Sequence, residues 1–185
     1  MAIEMLPNDT LIMLVFNYGL TKGGVFVKQN FQIEKHVKNC LLVGVYAKQL
    51  LINEKLELIS NEFVISLRNP VTWENWFWRL EWFENTNGED TLIIHEQETP
   101  EPLQYTKEPI ISNDYLILNS QFTFDDNVIH QVVGYGDTYS NQHTLSSLVF
   151  EFENAYLVVN TGPVIEMSYV KVKPTIQKAI IFTLN

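Results

Sequence analysis

The chain has 185 residues, 46% of them hydrophobic, one cysteine and a formal net charge of −10. A chain this long buries roughly 70% of the surface that its unfolded form exposes, so it can build a core without staples. One cysteine, Cys40, excludes an internal disulfide, and the negative charge disfavours nucleic acid, anionic lipid and phosphate-rich ligands, which binders hold with lysine and arginine.

The first apolar run, LIMLVF at 11–16, follows Glu4 and Asp9 with no lysine or arginine before it, and so lacks the basic start of a signal peptide. No run approaches the ~18 apolar residues of a membrane span. A soluble, cytoplasmic chain is expected, with no membrane partner. After TLIMLVF (10–16), strand signals recur as short β-branched and aromatic runs. They are GVFVKQNFQIE (24–34), CLLVGVY (40–46), KLELI (55–59) and FVISL (63–67). Between Trp73 and Glu84 stands WENWFWRLEWFE, which holds all four tryptophans. As a helix it would leave Trp78 and Trp82 on the wet face. As a strand it sorts Trp76, Trp78, Leu80 and Trp82 onto one face and Phe77, Arg79, Glu81 and Phe83 onto the other. The strand reading predicts a core-facing tryptophan row. Asn87-Gly88 then predicts a two-residue hairpin with DTLIIHEQE, setting Trp82 across from Ile93, Phe83 from Leu92 and Arg79 from Glu96.

EQETPEPLQYTKEP (96–109) reads as an extended acidic connector. Beyond it come YLILN (115–119), NVIHQVVGY (127–135), LVFEF (148–152), YLVV (156–159), VIEMSYVKV (164–172) and AIIFTL (179–184), with a turn at Glu153-Asn154. The connector separates similar segments: CLLVGVY falls on HQVVGYG with Gly44 on Gly134, and residues 56–71 fall on 149–164 without a gap. NDTLIML (8–14) likewise matches NDYLILN (113–119). The expected fold is mainly β, with antiparallel sheets in two similar β-rich halves, a possible internal duplication, forming a sandwich or barrel-like arrangement. The expected divisions are 1–98, a connector at 99–110, and 111–185.

Charge is uneven along the chain: residues 1–80 carry seven acids and eight bases, whereas 81–170 carry fifteen acids and only Lys107. Catalytic templates find weaker footing. GYGD (134–137) lacks the third glycine and the helix of a phosphate loop and reads as a strand kink. Asp137, Ser140 and His143 are triad residue types in one polar loop, but a triad is defined by geometry. His36 and Cys40 are expected in a strand, about 13 Å apart. His95 and His130 lack spaced ligand partners, adjacent Asp125 and Asp126 would point apart, and Glu151 and Glu153 read as a solvated strand face. No metal, cofactor or catalytic residue is expected.

These features point to a non-enzymatic interaction protein, of inhibitor or immunity type, that offers acids to a basic protein. Its expected contact residues are Trp73, Glu84, Glu89, Asp90, Glu96, Glu98 and Glu101. Two alternatives are a small-molecule binding module or enzyme with an aromatic-lined pocket between the halves, and a structural or oligomeric component.

Overall fold

The computed structural model describes residues 17–21, 24–28, 33, 35–54, 57–85, 88–107, 114–123, 127–139 and 142–185. The expected strand at 10–16, and the segments 8–14 and 125–126, lie outside the described residues. Among the described residues every regular element is a strand. In chain order these are β1 (Asn17–Thr21), β2 (Gly24–Lys28), β3 (Leu41–Ala47), β4 (Leu51–Ile52), β5 (Leu58–Ser60), β6 (Glu62–Arg68), β7 (Asn75–Glu84) and β8 (Asp90–Gln97). They continue with β9 (Tyr105–Lys107), β10 (Tyr115–Ile117), β11 (Ser120–Phe122), β12 (Gln131–Tyr139), β13 (Gln142–Glu151), β14 (Tyr156–Thr161), β15 (Ile165–Val170) and β16 (Ala179–Leu184). No helix among the described residues is long and apolar enough to cross a membrane.

All pairings are antiparallel. A five-stranded sheet runs β11-β3-β6-β7-β8 and a seven-stranded sheet runs β16-β12-β13-β14-β15-β5-β4, while β1-β2 and β9-β10 are separate pairs. The two large sheets are open and enclose one core, in the manner of a sandwich. Period-two alternation explains which residues reach it. Trp76, Trp78 and Leu80 of β7 are buried there, with Trp82 packed at the margin. Trp78 meets Phe150 of the opposite sheet at 5.9 Å between ring centroids. Burying side chains of this size stabilises the fold by about 1.5–3 kcal/mol each, which explains the concentration of indoles in one strand.

The hairpin of β7 and β8 forms, but its register is one residue from the expected one. Trp82 pairs with Leu92, Phe83 with Thr91, and Arg79 with His95. Glu96 stands opposite Trp78 instead of Arg79. The cause is the turn: Asn85 N–H donates to Glu89 O at 2.8 Å, and Gly88 takes a left-handed φ of 77°. That is the signature of a longer hairpin loop closed by a residue in the left-handed region, not of a two-residue turn. Asn85 and Glu89 also bond through their side chains, which fixes the longer loop.

Both large sheets share a strand order. Across one, β3, β6, β7 and β8 follow in chain sequence with β11 beside β3; across the other, β12, β13, β14 and β15 follow with β16 beside β12. This equivalence sets Gly44 and Gly134 in corresponding strands, each next to a register shift. It also sets β6 against β13, whereas the gapless sequence match sets β6 against β14. The two segments crossing between sheets are β11, which pairs with β3, and β4-β5, which joins the other sheet through β15.

GYGD is a strand kink. Between the pairs Tyr135–Ser147 and Gly136–Leu145 one residue of β13, Ser146, is extra. Its hydroxyl donates to Tyr135 O at 3.3 Å. The bulge resets the alternation, so Leu145 turns inward together with Leu148 and Phe150 and all three are buried.

The connector lies along the outer face of the five-stranded sheet. Leu103 is buried with Tyr46, Val64 and Phe77, and Tyr115 and Ile117 of β10 pack against them. Tyr115 stands edge-on to Phe77 at 5.7 Å and to Tyr105 at 5.2 Å. The same strap is tied by Asp114 Oδ1, which accepts from Arg68 Nη2 and Asn75 Nδ2, each at 2.5 Å.

Candidate functional site

The expected contact residues separate into two groups at opposite ends of the β7–β8 hairpin. Glu84, Glu89 and Asp90 surround its tip. Glu96 lies near its other end, about 20 Å along β8 from Asp90 at ~3.4 Å per residue, and Glu98 and Glu101 follow just beyond β8. Trp73, in the β6–β7 loop, belongs to that second end. The seven residues therefore do not form one patch.

At the tip, Glu84 and Asp90 are direct cross-strand partners. Like charges placed opposite each other destabilise a sheet by roughly 0.2–1 kcal/mol. Among the described residues neither makes an ion pair, and Glu89 bonds only to the neutral Asn85. Glu84 is exposed, and Glu89 and Asp90 are half-buried. The tip is thus a carboxylate cluster with no cation from the described residues. Asp90 also belongs to the edge strand β8, where charge discourages pairing with another sheet.

The other end differs. Glu96 is engaged by the core, since Trp78 Nε1–H donates to its Oε2 at 3.1 Å. Glu101 accepts from the Tyr105 hydroxyl at 2.7 Å and also from Thr99 Oγ1. That bond to a carboxylate raises the Tyr105 pKa above its ordinary value, because ionisation would set two anions together. Glu98 is exposed and makes no ion pair among the described residues.

Trp73 is 62% exposed and adopts a left-handed φ of 59°, unfavourable for a bulky side chain. The loop enforces this. Asn69 Oδ1 accepts from the backbone N–H of Val71 at 2.8 Å and of Thr72 at 3.1 Å, and Trp73 N–H closes the turn on Asn69 O at 2.9 Å. The Arg68 guanidinium carbon lies 5.7 Å from the indole centroid, a cation–π distance.

Arg79 does not reach Glu96. Its partners are Glu62, 2.5 Å away, and Glu81, both on the outer face, where His95 Nε2 also lies 2.9 Å from Glu81. This polar network consumes two acids and the arginine of the central hairpin. Sequence reasoning missed it because it depends on the β6–β7 register, which sets Glu62 across from Glu81 and diagonal to Arg79.

The remaining candidates stay apart. His36 and Cys40 sit about a turn in which Asn39 has a φ of 62°, not in a strand. The thiol donates to the His36 carbonyl at 3.3 Å and is buried, which pushes its pKa up. Asp137 is paired with Lys178 and His143 lies 3.0 Å from Thr138 Oγ1, while Ser140 falls outside the described residues. Glu151 pairs with Lys173 at 3.8 Å, and Glu153 is exposed at the turn closed by Phe152 N–H to Ala155 O. His130 is exposed. Among the described residues no three His, Cys, Asp or Glu side chains converge as metal ligands. The chain matches no protein-family model, no curated protein and no solved structure.

Proposed function

We propose that this chain is a non-enzymatic interaction protein whose β7–β8 hairpin tip receives basic side chains of a partner protein, as an inhibitor or immunity-type protein would. The supporting observation is the in-register pair Glu84–Asp90, with Glu89 beside it and no cation of the described chain in contact. A lysine or arginine from outside would replace this repulsion with attraction, and the acidity of residues 81–170 would steer such a partner at long range. The buried, unbridged Cys40 suits a reducing compartment such as the cytoplasm. The indole row is a weaker basis for a ligand platform, because Trp76 and Trp78 are closed into the core.

The test compares the immobilised wild-type chain with the triple variant Glu84→Gln, Glu89→Gln, Asp90→Asn in host lysate. Wild type is expected to retain a basic protein at about 50 mM salt and release it at about 500 mM, as the screening length shrinks. The variant is expected to retain none of it. Identical retention by both chains refutes the reading. Self-association of the variant without loss of a partner would assign the acids to guarding the free edge of β8 instead.

A further inference from the structure

Between the outer face of the five-stranded sheet and the strap at Asp114–Ile117 lies a half-open cavity of about 240 Å³. At ~30 Å³ per molecule it has room for about eight waters, or one ligand of amino-acid size. Two alternate rungs of the β6–β7 ladder, Ser66–Phe77 and Arg68–Asn75, which share one face, form its floor, and Tyr46 of β3 completes it. Tyr46 and Ser66 are 7% and 6% exposed, yet neither side-chain hydroxyl makes a hydrogen bond among the described residues. Their oxygens open onto the cavity, where a water or a ligand group supplies the missing partner. Burial raises the Tyr46 pKa, so this hydroxyl is a neutral donor at pH 7.

The charged groups beside them are only partly used. Arg68 donates through Nε to Asn75 Oδ1 at 2.7 Å and through Nη2 to Asp114 Oδ1, which leaves both Nη1 hydrogens uncommitted. Asp114 accepts both of its bonds on Oδ1, leaving Oδ2 uncommitted. The lining therefore offers a donor pair of positive charge, an acceptor of negative charge and two adaptable hydroxyls. Phe77, Tyr115, Val43, Leu116 and Ile117 supply apolar walls. A few convergent polar groups on an apolar wall are what small-molecule sites are made of.

We infer that this cavity binds a small zwitterion of the α-amino-acid class, with its carboxylate toward Arg68 and the two hydroxyls, its ammonium toward Asp114, and an apolar side chain against Phe77 and Tyr115. The net charge selects this class. Arg68 and Asp114 cancel, so the site favours neither a net cation nor a net anion, and the negative field of the chain further disfavours an anion. The site is separate from the hairpin tip, so it stands or falls independently of the partner proposed there.

Thermal unfolding and calorimetry with L-leucine and L-phenylalanine test it, alongside isocaproate and isoamylamine, which are leucine without its ammonium and without its carboxylate. An amino acid at ten times its Kd is expected to raise the midpoint by about 3–6 °C, and the two single-charge analogues to bind at least ~10-fold more weakly. Tyr46→Phe and Ser66→Ala each remove an unpartnered hydroxyl. They are expected to leave the ligand-free midpoint unchanged or higher while weakening binding by about tenfold. No shift with either amino acid at about 10 mM, which puts the Kd above about 10 mM, overturns the inference. So does isocaproate binding as well as leucine, or binding that both variants leave intact.

Discussion

Replacing Gly136 by alanine tests the bulge that turns Leu145 into the core. A Cβ built on Gly136 would stand 1.7 Å from the backbone oxygen of Thr144, where real contacts stay beyond 3.0 Å. The obstacle is backbone on the neighbouring strand, so β13 must retreat by ~1.3 Å to admit the methyl group. Overpacking of this kind costs about 1–3 kcal/mol, and each ladder hydrogen bond lost at Gly136–Leu145 or Asp137–Thr144 adds about 1 kcal/mol. The expected loss is about 3–5 kcal/mol, or a fall of about 6–20 °C in midpoint for a chain of this size. Gly134→Ala would meet the Phe182 ring at 2.5 Å and Leu145 Cδ1 at 2.9 Å, which are side chains able to yield, so its cost should be smaller. Gly162→Ala is the control, since its nearest atom is Val164 O at 3.7 Å, an ordinary contact. Urea unfolding followed by tryptophan fluorescence and circular dichroism ranks the three. Equal stability of Gly136→Ala and Gly162→Ala would refute the bulge and the inward placement of Leu145 that depends on it.

Glu84→Gln removes one of two facing like charges and should stabilise the chain by about 0.2–1 kcal/mol at low salt. Calorimetry should find the gain vanishing near 1 M salt, where the screening length is about 3 Å. Iodide should quench Trp73 most readily, because Trp76 and Trp78 are buried; the variant Trp73→Phe should remove most of the accessible fluorescence, and unchanged quenching would contradict its exposure. The burial that raises Cys40 and Tyr46 above their usual 9.0 and 10.0 also fixes a pH trend. Both groups keep their protons longer in the native state, so their stability contribution is complete below pH 9. It is lost as pH rises through the native values, and denaturant midpoints should decline above pH 9. The native thiol should react with a disulfide reagent at pH 8 at least ~10²-fold more slowly than the unfolded chain.

Local periodicity carried much of the fold. Alternation put Trp76, Trp78 and Leu80 on the buried face and Phe77, Arg79 and Glu81 on the other, because side-chain direction in a strand depends only on parity. AIIFTL at 179–184 coincides with β16 for the same reason. Register was less accessible, since the one-residue difference at Gly88 rests on a loop geometry that Asn87-Gly88 does not by itself specify. Strand order and the cavity were hidden for a further reason. Arg68 meets Asp114 from 46 residues away, and Tyr46 and Ser66 look like ordinary strand residues until β3 and β6 are side by side. The acids were visible as composition, but the split of Glu84 and Asp90 from Glu96 and Glu98 follows from the hairpin's length, and the engagement of Glu96 by Trp78 follows from its true register.

The pairing of β5 with β15 has a consequence in time. Ser60 must wait for Ile165, more than a hundred residues later, before the seven-stranded sheet can take in β4 and β5. At a synthesis rate of about 5–20 residues per second, that delay is about 5–20 s. Strands β3, β6, β7 and β8 can align well before then, while Phe150, Leu157 and Met167, which cover their tryptophan face, are still to be made. A nascent chain thus exposes its heaviest apolar row while the residues between Trp82 and Phe150 are made. Transiently exposed apolar surface is prone to aggregate, so shielding that row during those seconds bears on the yield of this protein beside the stability of the finished sandwich.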